Sequence, residues 1–202
     1  MVQHRAKIEI ANITECDDVV VRLSVFFIKG TVSCHCCDKS LFNGTLTVEN
    51  EIDRSTTDFP VTEGDFKCIT RLNLGLNQFK LNYLSENHVS DKSVHVQRKP
   101  NSNRRLLKLV YIVPKGDNGR FQSVADVDNS ATSACKRIIV GAKLIQTLIA
   151  ERLYEQGHGR KTFNLFCDDG AEPTCVVHHS RHTKSEFHTL SSEQIWNLTA
   201  KV

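Results

Sequence analysis

Apolar and polar positions alternate in short runs through the first half of the chain. Lys7-Ile8-Glu9-Ile10 has period two, Val19–Ile28 is a β-branched and aromatic run, and Thr45-Leu46-Thr47-Val48 alternates again. Asp65–Leu72 and Gln78–Leu84 continue the pattern on either side of Asn73-Leu74-Gly75-Leu76-Asn77. Gly30, Asn43-Gly44, Pro60, Gly64 and Gly75 punctuate these runs at the spacing of short antiparallel strands. No helical period interrupts them before about residue 97. The pattern predicts an immunoglobulin-like antiparallel β-sandwich over residues 1–98.

The pattern changes near residue 100. Residues 99–105, Lys-Pro-Asn-Ser-Asn-Arg-Arg, have the composition of a linker, and Leu106–Val113 is a near-continuous apolar run of the kind that forms a strand buried on both faces. Ala134, Ile138, Ala142, Ile145, Ile149 and Leu153 then recur at helical spacing, which predicts a helix over Ala131–Gln156. Asp128 or Ser130 suits its N-cap, and Gly157 suits the left-handed position after its end. Thr162–Cys167 reads as a strand, so strand, long helix and strand form a βαβ unit with an expected parallel pair. A further strand is expected at Thr174–His178, and Ser191-Ser-Glu-Gln194 is a capping box that opens a last helix. The fold class is therefore α+β: a β-sandwich at 1–98, a linker at 99–105 and an incomplete α/β domain at 106–202.

Composition narrows the partners. With 40% hydrophobic residues and a net charge of +3 over 202 residues, the chain has the material for a folded core and not the signature of disorder. Residues 1–100 hold 12 Lys and Arg against 13 Asp and Glu, and residues 101–202 hold 14 against 10, too mild a surplus to demand a nucleic-acid partner. The local cluster Arg98, Lys99, Arg104, Arg105 and Lys108 is expected to be a solvated linker. Arg22, Lys143 and Gln146 break the longest apolar stretches, so no membrane span is expected. The N-terminus lacks an apolar secretory segment. The eight cysteines are accordingly expected as thiols in the cytoplasm. The sequons at Asn12, Asn43 and Asn197 would matter only in a secreted chain.

Three groups of residues suggest chemistry. Cys34-His35-Cys36-Cys37 offers thiolates to a metal, with Cys34, Cys36 and Cys37 as candidate ligands, although a local Cys-x-Cys needs two ligands from elsewhere. His178, His179, His182 and His188 form the second group, with His178, His182 and His188 as candidate ligands. His178 and His182 are four apart, the spacing of a zinc-binding helix, but the general-base Glu of His-Glu-x-x-His is absent and Cys175–His178 reads as a strand. Glu151, the third, is expected to be solvated at the helix end unless Arg152 or Arg160 pairs with it. Asp168-Asp169-Gly170 is expected to make a turn. No glycine-rich phosphate loop or nucleophile elbow is present, so no catalytic residue can be named.

Phe59-Pro-Val-Thr-Glu-Gly-Asp-Phe-Lys67 followed by Leu74-Gly-Leu-Asn77 resembles the β-sandwich region of a zinc metallopeptidase family of largely uncharacterised eukaryotic proteins, some with a jacalin-like lectin domain. Leu109–Val113, Gly119-Arg-Phe-Gln122, Ile145–Arg152 and Gly157–Phe163 resemble the opening of that family's peptidase domain. The resemblance implies a sandwich leading into a zincin-like α/β domain, with Ala131–Gln156 as the helix that precedes the zinc-binding one. It implies zinc in the full-length family, yet the His-Glu-x-x-His helix is not reached by Val202, so no family ligand or general base carries over to a residue here.

Three functions are expected from this, in order. The first is the N-terminal portion of a zinc metalloproteinase homologue, a fragment of a hydrolase that is not catalytic by itself. The second is a truncated binding module whose sandwich docks a polypeptide partner, with self-association through the exposed half-domain. The third is a small Cys/His metal-binding protein.

Overall fold

The computed structural model describes residues 4–13, 19–35, 37–100, 106–168 and 172–199. Nine strands come first: β1 (His4–Arg5), β2 (Lys7–Ile10), β3 (Val19–Val21), β4 (Val25–Ser33), β5 (Gly44–Asn50), β6 (Thr56–Val61), β7 (Asp65–Arg71), β8 (Gly75–Leu84) and β9 (His88–Arg98). After them come β10 (Leu106–Leu107), β11 (Leu109–Val113), α1 (Ala131–Glu155), β12 (Asn164–Leu165), β13 (Cys175–His179), α2 (Lys184–Phe187) and α3 (Ser192–Thr199). The fold is α+β and mainly β. The chain forms two compact units, residues 1–101 with 149–160, and residues 102–148 with 161–202.

The first unit holds two sheets. One has the order β1-β9-β8-β5-β6, with β3 also on β9; the other has the order β2-β4-β7. Period-two patterning fixes which side chains turn inward: along β7, Phe66, Cys68 and Thr70 are buried while Lys67, Ile69 and Arg71 are exposed. Ile8, Phe26, Ile28, Val32 and Phe66 from the small sheet share one apolar core with Leu46, Val48, Phe79, Leu81 and Val96 from the large one. Each such side chain contributes about 1.5–3 kcal/mol by leaving water, so this cluster is what holds the two sheets.

Two expectations need correction. Val19–Ile28 is not one strand: the chain leaves β3 at Arg22-Leu23-Ser24 and passes from the large sheet into β4 of the small one. Hydrophobicity runs through that crossing because Leu23 stays buried at 2% exposure, while Arg22 turns out and donates to the Pro100 carbonyl at 2.6 Å. Nor is the large sheet wholly antiparallel, since β1 and β3 both run parallel to β9. Alternation of residues reports which face is buried, not strand direction.

Local chemistry sets the turns. Glu63 and Gly64, with φ of 50° and 78°, link β6 to β7 through paired bonds between Thr62 and Asp65, a left-handed geometry that favours Gly. Pro60 is tolerated because β6 is the edge of its sheet. Gly30 lies between Ile10 and Phe66 in the small sheet, where a Cβ would come within 2.1 Å of the Glu9 carbonyl oxygen.

In the second unit, β10 pairs with β12 in parallel, which agrees with the expected strand–helix–strand pairing. The run Leu106–Val113 nevertheless breaks at Lys108, and β11 pairs instead with β13, also in parallel. It is not buried on both faces: Leu106 and Leu107 are 49% and 46% exposed. The core here is small, with Leu109, Ala142 and Leu165 packed by Ile138, Ile139, Phe163 and Cys175.

The helix ends follow the sequence signals. Ser130 caps α1 by accepting from the Ser133 N–H at 3.2 Å, and Asp128 accepts from Ser130. Gly157 has φ 80°, and the Gly157 and His158 N–H groups donate to Tyr154 and Leu153, closing the helix in a Schellman motif. Ser191 and Gln194 make the expected capping box of α3. A second one, Thr183 with Glu186, opens α2. Among the described residues no helix is long and apolar enough to cross a membrane.

Candidate metal centre

β4 ends at Ser33. Asp38 accepts from the backbone and hydroxyl of Ser40, which starts a single 3-10 turn over Lys39–Leu41 and delivers Phe42, fully buried, into the core. The Phe42 carbonyl accepts from the Gly64 N–H at 2.9 Å, and Lys39 pairs with Asp65 at 2.7 Å. This holds Cys34 and Cys37, both half-buried, at a fixed place in the first unit.

His88 reaches the same place from a distant part of the sequence. It follows the tight β8–β9 turn, in which the Ser85 N–H donates to the His88 carbonyl at 2.9 Å and the Ser85 hydroxyl accepts from the His88 N–H at 3.1 Å. Its ring is buried and tilts against Phe42 with 4.7 Å between centroids. Cys34 Sγ lies 3.4 Å from Cys37 Sγ, which lies 3.6 Å from His88 Nε2. All three ligand atoms fall within 4.8 Å of one another, and among the described residues no other three His, Cys, Asp or Glu side chains do so.

The structure therefore brings together Cys34 and Cys37 of the candidate ligands and adds His88. Cys36 lies outside the described residues. His88 carries no local motif, being 51 residues from Cys37. The available signal was the other half of the pair: Cys34-x-x-Cys37 is a chelating spacing in its own right, beside the Cys34-x-Cys36 spacing. Among the histidines, His178 and His179 sit on β13, His182 in the following turn, and His188 is exposed just after α2. His178 and His182 line a cavity of about 570 Å³ with His179, Arg181 and Leu190, and His182 meets the Phe187 ring edge-on at 6.1 Å. Asp169, Gly170, Arg104 and Arg105 lie outside the described residues.

Among the described residues of the first unit, Glu151 is the buried carboxylate. It is 2% exposed, accepts from Arg160 Nε at 2.8 Å and from Asn12 Nδ2 at 3.1 Å, and has Lys29 Nζ at 3.7 Å. Arg160 also donates to the Asn12 carbonyl at 2.6 Å and stacks 3.7 Å above the Tyr154 ring. Every oxygen of that carboxylate is thus engaged by a donor, which is what a buried charge requires. The pairing is with Arg160; Arg152 turns instead to Glu155 at 3.2 Å. Two thiols elsewhere are held protonated. Burial pushes Cys68 up to about 12, and burial followed by the neighbouring Cys135 thiol pushes Cys175 up to about 12. The six described cysteines carry no disulfide.

The zinc of a His-Glu-x-x-His peptidase needs two helix-borne imidazoles, a third ligand and a carboxylate that takes a proton from the metal-bound water. The described residues do not fit that group. His178 and His182 are divided between a strand and a turn, and the donors at Cys34, Cys37 and His88 are two thiols and an imidazole without a carboxylate among them. Thiols and imidazole are ligands of zinc and other borderline or soft ions. No curated protein matches the sequence. Residues 7–198, almost the whole chain, match the model of the family described as "Putative peptidase family", Metallopep. The chain belongs to this family of metallopeptidase type.

Proposed function

We propose that the chain is the non-catalytic N-terminal portion of a zinc metalloproteinase homologue, an immunoglobulin-like β-sandwich followed by the opening strand–helix–strand of a zincin-like domain. The observation that carries this is the combination of a family match over residues 7–198 with nine histidines, none of which is followed by Glu. Membership supports a peptidase-type architecture, and the missing His-Glu-x-x-His leaves the chain without the two imidazoles and the base of that peptidase motif. The parallel pairing of Leu106–Leu107 with Asn164–Leu165 around α1 supports the zincin-like reading, and the shared core of the two sheets supports the sandwich.

Such a portion acts through binding, and its partner is a polypeptide. Val140, Ile145 and Leu148 on α1 are 56%, 53% and 47% exposed, an apolar stripe that favours added protein surface over nucleic acid. The six described cysteines, which form no disulfide among themselves, favour a reducing compartment, the cytoplasm. The test is a proteolysis assay of the purified 202-residue chain on unfolded casein, with and without added zinc and chelator. Cleavage no faster than the blank is expected. Cleavage that a chelator abolishes and zinc restores would refute the proposal.

A further inference from the structure

The geometry points to a zinc site at Cys34, Cys37 and His88, built by the first unit from its own residues and different in its ligands from the zinc of a His-Glu-x-x-His peptidase. With Zn–S near 2.3 Å and Zn–N near 2.0–2.1 Å, a tetrahedral ion sets its ligands about 3.8 Å apart for two sulfurs and about 3.6 Å apart for sulfur and nitrogen. The observed separations are 3.4 Å for Cys34 and Cys37 and 3.6 Å for Cys37 and His88. A disulfide would place the sulfurs at about 2.05 Å, so the two thiols, in hydrogen-bond contact at 3.4 Å, are not a covalent pair and lie close enough to share one ion.

The three donors are also positioned before any ion arrives. Cys34 follows β4, Cys37 is two residues before the Lys39–Leu41 turn, and His88 is set by the Ser85 bonds and by Phe42. An ion held there would tie the end of a strand in the small sheet to the first residue of β9 in the large one. Its role is therefore to lock the two-sheet unit, as structural zinc does in small domains. Binding requires both thiols to lose their protons and the imidazole to be neutral, so affinity falls as pH is lowered. The inference does not rest on the proposed function: a zinc lock can be present or absent whether or not the chain cleaves peptides.

The experiment uses the full chain, purified reduced, with zinc measured by plasma mass spectrometry and affinity by competition with a chromophoric chelator. About one zinc per chain is expected. Cys37→Ser and His88→Gln should each weaken zinc by more than about tenfold, while the double variant His178→Ala/His182→Ala keeps it. Should either site variant fail to fold, the unaltered chain still decides the matter. Cobalt substitution should give a thiolate charge-transfer band, and zinc should shield two thiols from a disulfide reagent until a chelator is added. The inference is overturned if the folded, reduced chain takes up less than about 0.1 zinc on titration. It is equally overturned if the cobalt spectrum shows no thiolate band, or if zinc is lost from the His178/His182 variant and kept by the others.

Discussion

Replacing Arg160 by Met tests the buried polar cluster of the first unit most directly. Methionine keeps an unbranched stem against the Tyr154 ring but removes the 2.8 Å bond to Glu151 and the 2.6 Å bond to the Asn12 carbonyl. The carboxylate left behind is 2% exposed and so cannot recover its lost partner from water. Breaking a buried ion pair from one side costs about 3–5 kcal/mol. Asn12 at 3.1 Å and Lys29 at 3.7 Å remain beside Glu151, which puts the expected loss near the lower end, about 3 kcal/mol. Glu151→Gln keeps the shape and an acceptor for Arg160, so about 1.5–3 kcal/mol is expected. The double variant Glu151→Leu/Arg160→Met should cost less than the sum of its singles, because neither charge is then stranded. Urea unfolding followed by far-ultraviolet circular dichroism gives the stabilities. Hydrogen exchange at the Lys29 amide, which donates to Asn12 Oδ1 at 3.0 Å, places the effect in the structure. Losses under about 0.5 kcal/mol for both single variants, or strict additivity in the double, would show that the pair is not a buried, coupled unit.

Gly30→Ala should lower stability by about 3 kcal/mol or prevent folding, since the new methyl meets the Glu9 carbonyl and the Phe66 ring; thermal unfolding measures it, and a shift of less than about 2 °C would contradict the close approach. Gly157→Ala should cost about 1 kcal/mol because φ there is 80°, read in the same assay, whereas an unchanged midpoint would mean the helix end relaxes without cost. Cys68 has its folded pKa raised from 9.0 to about 12, so the unfolded chain releases this proton first and the contribution to stability is full below pH 9 and fades as pH rises toward 12. Cys68→Ala should flatten that alkaline decline in urea midpoints, and an identical slope in the variant would refute the assignment. Asn12 is 5% exposed with its amide nitrogen engaged by Phe27 and Glu151, so the folded chain should not be glycosylated there by an oligosaccharyltransferase extract, as checked by mass.

Elements governed by local chemistry were legible from sequence. The caps at Ser130 and Ser191, the left-handed Gly157 and the alternation of β7 each depend on residues a few positions apart, and each has its expected form. What escaped was whatever the chain assembles from far apart. The sheet change between β3 and β4 leaves no mark in hydrophobicity because Leu23 remains inside, and the parallel pairing of β1 and β3 on β9 depends on partners about 80 residues away. The candidate centre divides in the same manner. Cys34 and Cys37 could be picked out as a pair, but His88 joins them only because a hairpin turn delivers it. Glu151 was visible as a charge at a helix end, and Arg160 as one of its candidate partners; its burial beside Asn12 depends on the tertiary fold.

The first unit is not continuous in sequence, and this bears on how it is made. Asn12 waits for Glu151 and Arg160, separated from it by 139 and 148 residues. At about 5–20 residues per second, a ribosome that has just made β9 needs roughly 3–12 s more to reach Arg160. Throughout that interval the nascent sheets hold Asn12 and Lys29 without the carboxylate that later joins them. Completion of this unit is therefore timed by the synthesis of the helix end, and a released chain ending at residue 101 carries the strands of both sheets with their last closure still missing.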